Sequence, residues 1–140
     1  MSSVDATARG AQVDSRQPVL LVEDNQLNQM VADGMLRLLG YGSHCVPDGL
    51  QALSELRSKR YPIVLMDVQM PELDGYETTR RIRAELPADH QPYVIALTAN
   101  AMAGDAERCR AAGMDDYLPK PLTKTALKSA LERAARASQA

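Results

Sequence analysis

Three carboxylates close two apolar runs. Glu23 and Asp24 end the stretch PVLLVED, and Asp67 ends YPIVLMD. Each run is long enough for one buried strand and too short for a helix that would hide it. If the two strands lie parallel and adjacent, their ends are about 4.8 Å apart and the three carboxylates crowd one edge of the sheet. Unpaired, such charges repel. A hard divalent cation relieves the repulsion by taking their oxygens, and Mg²⁺ prefers carboxylates together with water and a phosphate group. The chemistry that suits this pattern is phosphoryl transfer on or beside a carboxylate.

The elements that must position these residues alternate in period. Residues 1–17 are rich in Ser, Ala, Asp, Arg and Gln without apolar period and read as a flexible leader or linker. Pro18 opens a first strand, Val19 to Val22. Asn25 caps a helix on which Leu27, Val31, Met35 and Leu38 recur at helical spacing until Gly40 stops it. A short strand, Ser43 to Val46, leads through Pro47-Asp48-Gly49 to a helix with Leu50, Leu53 and Leu56 on one side. Ile63 to Met66 is the third strand. Pro71, Asp74 and Gly75 then supply turn residues before a helix with Ile82 and Leu86. Val94 to Leu97 is the fourth strand, and Met102 to Ala112 a helix ended by Gly113. Tyr117-Leu118 is a brief fifth strand, and Thr123 caps a last helix with Leu127 and Leu131. The segment 136–140, RASQA, is a polar tail. This βα alternation implies an α/β fold, a doubly wound parallel sheet with helices on both faces. Ligands of such sheets bind at the carboxyl ends of the strands, where this chain places Glu23, Asp24, Asp67, Thr98 and Lys120.

Composition narrows the classes. A chain of 140 residues with 45% hydrophobic content suits one domain with a full core. The net charge of −2 is carried by scattered residues and gives no footprint for nucleic acid or an anionic membrane. No apolar run approaches the roughly 20 residues of a membrane span, and MSSVDATARG lacks the apolar core of a signal peptide, so the expected setting is cytoplasmic. Cys45 and Cys109 lack the spacing of a zinc site or disulfide framework. His44 and His90 stand apart from each other and from the acidic cluster, which suits surface roles.

Four motifs in chain order carry a resemblance: VEDN at Val22 to Asn25, VLMDVQMPELDG at Val64 to Gly75, ALTANA at Ala96 to Ala101, and DDYLPKP at Asp115 to Pro121. From about Pro18 to Ala135 the chain resembles the receiver domains of two-component response regulators. The resemblance implies a five-stranded flavodoxin-like sheet of strand order 2-1-3-4-5. It also implies that Asp67 accepts a phosphoryl group from phosphohistidine. Mg²⁺ (or Mn²⁺) would sit on Glu23, Asp24, Asp67 and the backbone carbonyl of Gln69, with Lys120 and the Thr98 hydroxyl on phosphoryl oxygens. Thr98 and Tyr117 match the family's switch pair, and the Lys120-Pro121 bond matches one that is commonly cis. Gln69 and Asn100 match positions that flank the attacking water and tune dephosphorylation; both are neutral amides that can orient water but not act as its base. The segment EDNQLNQ resembles receivers attached to hybrid sensor histidine kinases, with a free-standing single-domain regulator as the alternative. As part of a hybrid, the full chain would be a histidine kinase. The implied partners are a sensor kinase or a histidine phosphotransfer domain, with no nucleic acid and no membrane contact, and the domain itself is expected to be a monomer. Leu27, Asn28 and Met30, with Pro121-Leu122, are expected to rim the acidic site as a docking face.

Each residue taken alone has a plainer reading. Asp24 or Asp67 could be a loop or capping carboxylate, Thr98 a cap, and Tyr117 a boundary residue. The methionines fit core filler better than a cofactor box. Two rival classes lack a required group. A phosphatase of the haloacid dehalogenase type needs a second acid two residues after its aspartate, where Gln69 stands. An FMN-binding flavodoxin needs a Gly/Ser/Thr-rich phosphate loop after the first strand, where the chain reads EDNQLNQ.

Overall fold

The computed structural model describes residues 17–70, 73–99 and 103–139, with side chains of 103, 138 and 139 left aside. Sixteen residues of the expected leader therefore lie outside the described residues, as do Asn100 and Met102. Among the described residues, β1 (Val19–Val22), β2 (Ser43–Val46), β3 (Ile63–Asp67), β4 (Tyr93–Thr98) and β5 (Asp116–Pro119) form one parallel sheet in the order β2-β1-β3-β4-β5. The connecting helices are α1 (Gln26–Leu38), α2 (Gly49–Ser58), α3 (Gly75–Glu85), α4 (Ala103–Ala112) and, at the end, α5 (Lys124–Gln139). A short 3₁₀ turn at Ala88–His90, not foreseen in the sequence, leads into β4. The doubly wound, flavodoxin-like fold expected from the sequence is the observed one.

Alternation along the strands splits the core in two. Leu20, Val22, Val64, Met66, Val94 and Ala96 face α2, α3 and α4, where Leu53, Ile82 and Cys109 meet them. Val19, Leu21, Ile63, Leu65, Ile95 and Leu97 face α1 and α5, against Leu36, Leu127 and Leu131. Strands buried on both faces must be apolar at every position, and VLLV and IVLM are. Each large side chain so buried contributes roughly 1.5–3 kcal/mol by leaving water.

Caps fix where four helices begin. Asn25 accepts from the Asn28 amide at 3.0 Å, Asp48 from Gln51 at 2.8 Å, and Asp74 from Glu77 at 2.9 Å. Thr123 accepts from the Ala126 amide at 3.2 Å, as its sequence position predicts.

Two apolar faces depart from expectation. On α1 the buried residues are Ala32 and Leu36, while Leu27, Val31 and Leu38 are exposed and Met35 is partly buried. On α2, Leu53 and Leu56 are buried but Leu50 is exposed. Helical spacing finds an apolar stripe, yet the angle at which the helix meets the sheet decides which flank of it is covered. The last helix continues through residues 136–139 of the expected tail, a stretch without Gly or Pro to stop it. Among the described residues no helix is long and apolar enough to cross a membrane.

Candidate functional site

The sheet order places β1 beside β3, and the chain leaves these strands toward opposite faces: α1 shares one face with α5, and α3 the other with α2 and α4. A crevice opens where such connections diverge. Glu23 directly follows β1, held there by its amide on the Val46 carbonyl at 3.1 Å, and Asp67 is the last residue of β3. Both carboxylates are buried, each residue 2% exposed, while Asp24 is exposed. One oxygen from each of Glu23, Asp24 and Asp67 lies within 4.8 Å of the other two.

Lys120 reaches this cluster from the end of β5. Its ammonium lies 3.0 Å from Asp67 Oδ1 and 3.7 Å from Glu23 Oε1, and its amide donates to the Thr98 carbonyl at 2.8 Å. The Lys120-Pro121 bond is cis. Asp67 Oδ1 also accepts the Gln69 amide at 3.1 Å. Glu23 Oε2 accepts the Asn25 amide at 3.2 Å and Asn28 Nδ2 at 3.5 Å. Burial raises the Glu23 carboxyl pKa above the ordinary glutamate range, and the negative charge of Asp67 adds to that; the Asn25 amide and Lys120 pull the other way. Three carboxylates thus face one ammonium, and all their donor atoms are hard oxygens. That set fits a Mg²⁺ ion, which would supply the missing positive charge.

Thr98 ends β4 and is buried. Its hydroxyl donates to Asp105 Oδ2 at 3.1 Å, in the first turn of α4. Tyr117 pairs with Ala96 in the β4-β5 register and packs, partly buried, on the edge of the core cluster shared with α2, α3 and α4. Gln69 is exposed beside Asp67. Together Asp24, Gln69, Asp74, Thr98, Asp105 and Arg108 border a cleft of about 590 Å³. The structure therefore brings Glu23, Asp24, Asp67, Thr98 and Lys120 to one sheet edge, with Tyr117 one strand away; Asn100 lies outside the described residues.

Several neighbours carry no signal in the sequence. Asp105 looks like any acid in a first helical turn. Arg108 stands over the Tyr76 ring at 4.3 Å, and Gln29 donates to the Glu23 carbonyl. Gly75 is the least obvious. A Cβ there would lie 2.5 Å from the Asp67 carbonyl oxygen and 2.8 Å from Val68 Cα, so the start of α3 touches the backbone that carries Asp67. A glycine after Asp74 signals a turn but not that approach.

Residues 19–132 match the family model of the response regulator receiver domain. The chain belongs to that family. It is a receiver domain of two-component signalling. The receiver of sensor histidine kinase PA1611 from Pseudomonas aeruginosa PAO1 is 48% identical, with a TM-score of 0.78 over 86% of this chain and 98% of that one; its crystal structure has a magnesium ion coordinated in the active site cleft. The sensor histidine kinase RcsC of Salmonella typhi is 38% identical over 133 residues, covering 93% of this chain and 13% of that protein. The receiver of Ssk1 from Saccharomyces cerevisiae, solved in complex with the histidine phosphotransfer protein Ypd1, has a TM-score of 0.79 at 26% identity over 89% of this chain and 92% of that one. This receiver spans between 13% and 16% of the length of the histidine kinases it matches first.

Proposed function

We propose that this receiver accepts a phosphoryl group on Asp67 from a phosphohistidine, with Mg²⁺ (or Mn²⁺) held by Glu23, Asp24, Asp67 and the Gln69 carbonyl. The observation that carries the reading is the Lys120 ammonium at 3.0 Å from a buried Asp67 that shares its site with two further carboxylates. An Asp67 oxygen attacks phosphorus. The O–P bond forms as the N–P bond to the donor imidazole breaks, and that electron pair returns to the ring nitrogen. Mg²⁺ held by Glu23, Asp24, Asp67 and the Gln69 carbonyl would neutralise charge on the phosphoryl oxygens. Lys120 stabilises another oxygen, and the Thr98 hydroxyl donates to a third. Thr98 then moves inward and Tyr117 follows, altering the face formed by α4, β4 and β5.

The partner is a histidine phosphotransfer domain or the kinase itself, and the receiver acts within a hybrid sensor histidine kinase; a free-standing regulator is the alternative. Support for a docking face comes from α1, where Leu27 is 67% exposed and Met30 71% exposed. Beside them a groove of about 420 Å³ runs past Asn28, Val31, Lys120, Pro121 and Leu122 to Glu23. An apolar rim around a charged centre suits a partner that must bring its histidine in line with Asp67.

Intact mass after incubation with acetyl phosphate tests the phosphoacceptor. The expected result is one added phosphoryl group in the wild type with Mg²⁺, lost with chelator and absent in Asp67→Asn. An equal adduct in Asp67→Asn sinks the assignment.

A further inference from the structure

The Thr98 hydroxyl carries one proton, and two groups have a claim on it. In this structure the proton is donated to Asp105 Oδ2 at 3.1 Å. In the phosphorylated state proposed above it is donated to a phosphoryl oxygen. The two bonds exclude each other. They also oppose each other electrostatically, because the phosphoryl group carries about −1.5 to −2 of charge, more than the single charge of the carboxylate it replaces, in the same strand-end region as the Asp105 carboxylate.

Asp105 is partly buried in the first turn of α4, bordering the cleft that also holds Asp24 and Gln69. Farther along α4, Arg108 lies on the Tyr76 ring, and Cys109 and Ala112 enter the core. The Asp105–Thr98 bond therefore ties the beginning of the helix to the end of β4, while the later turns are held by packing. The plain reading, an acid favoured by the helix dipole, accounts for a carboxylate in that turn. It does not account for a hydroxyl of a buried strand-end residue aimed at it.

We propose that Asp105 is a latch, a positioning residue that holds the Thr98 hydroxyl toward α4 until a phosphoryl group on Asp67 takes it. This rests on the phosphoacceptor reading of Asp67. Losing Thr98 frees the first turn of α4, so phosphorylation is read out as movement of that turn. The latch sets the threshold: phosphorylation has to break a charge-assisted hydrogen bond before it can make its own.

Beryllofluoride with Mg²⁺ serves as a stable phosphoryl mimic, followed by amide NMR of the full chain. Asp105→Ala is expected to bind it roughly tenfold more tightly than the wild type, the effect of releasing one hydrogen bond to a charged acceptor. Its spectrum without the mimic should already show Thr98 and the first turn of α4 displaced toward their bound positions. Asp105→Asn keeps an acceptor oxygen and should fall between the two. In a Thr98→Ala background the further change Asp105→Ala should alter affinity by at most roughly twofold, from charge alone. Unchanged affinity in Asp105→Ala overturns the latch, and so does an equal gain with or without the Thr98 hydroxyl. If the wild type binds no beryllofluoride, the Asp67 reading falls instead. The spectra without the mimic still judge the hydrogen bond: Asp105→Ala and Thr98→Ala should displace the same α4 amides, and a Thr98 signal indifferent to Asp105 refutes the contact.

Discussion

Glu23 is held against its own charge. It is buried beside Asp67, and burial with that neighbour raises its carboxyl pKa, so the fold favours the protonated form. The sign follows. Below the ordinary glutamate value, near 4.3, folded and unfolded chains both hold the proton and no cost arises; as pH rises through the raised value the folded chain loses stability. Glu23→Gln removes that cost and keeps an acceptor for the Asn25 amide. At pH 7 without metal it is expected to stabilise the chain, with no gain near pH 4, while weakening Mg²⁺ binding. Urea melts at the two pH values and a Mg²⁺ titration check this; destabilisation at pH 7 would show that Glu23 is a structural anchor. The acidic cluster itself was legible because two strand-like runs each ended in acid. Lys120 was legible with it as a strand-end residue, whereas the hydrogen bonds of Asn28 and Gln29 to Glu23 were not, since they depend on how α1 leaves β1.

Glycines separate what an element needs from what a site needs. Gly34 lies within α1, exposed, with nothing within 4 Å of a Cβ added there. Gly75 opens α3 against the backbone of Asp67 and Val68. Gly34→Ala is expected to stabilise the fold by roughly 0.5–1 kcal/mol by restricting the unfolded chain. Gly75→Ala must push α3 or the end of β3 aside, at a cost on the order of 2 kcal/mol or more, and should slow labelling of Asp67 as well. Thermal melts and acetyl phosphate labelling compare the two; equal stability would mean that the α3 junction yields freely. Legibility at this scale followed the strength of the local signal. Caps at Asn25 and Asp48 mark their helices in the sequence. The covered flank of α1 does not, because it depends on the crossing angle. Nor does Arg83, which reaches the Gly113 carbonyl, Gln91, the Pro92 carbonyl and Asp115 at 2.7–2.9 Å and so fastens α3 to the segments entering β4 and β5. Such a hub joins residues far apart in the chain and leaves no periodicity.

At the scale of the whole molecule, the alternating order of strands and helices was legible from period and turn residues, and the strand order came from the family resemblance; both match the observed sheet. That sheet sets the acidic crevice next to the exposed apolar flank of α1. Met30→Glu should therefore slow phosphoryl transfer from a phosphorylated histidine phosphotransfer protein by about tenfold or more while leaving acetyl phosphate labelling unchanged, since only the protein donor needs the docking face. Equal slowing of both would remove α1 from the interface. The proposed function stands on an acyl phosphate at Asp67, which can be located covalently. After labelling with acetyl phosphate and Mg²⁺, borohydride reduces an aspartyl phosphate to homoserine with loss of phosphate, and peptide mass then reports the position. Homoserine at residue 67 alone, dependent on Mg²⁺, is the predicted result. Homoserine at Asp24, or none at residue 67 in a folded protein, would contradict it.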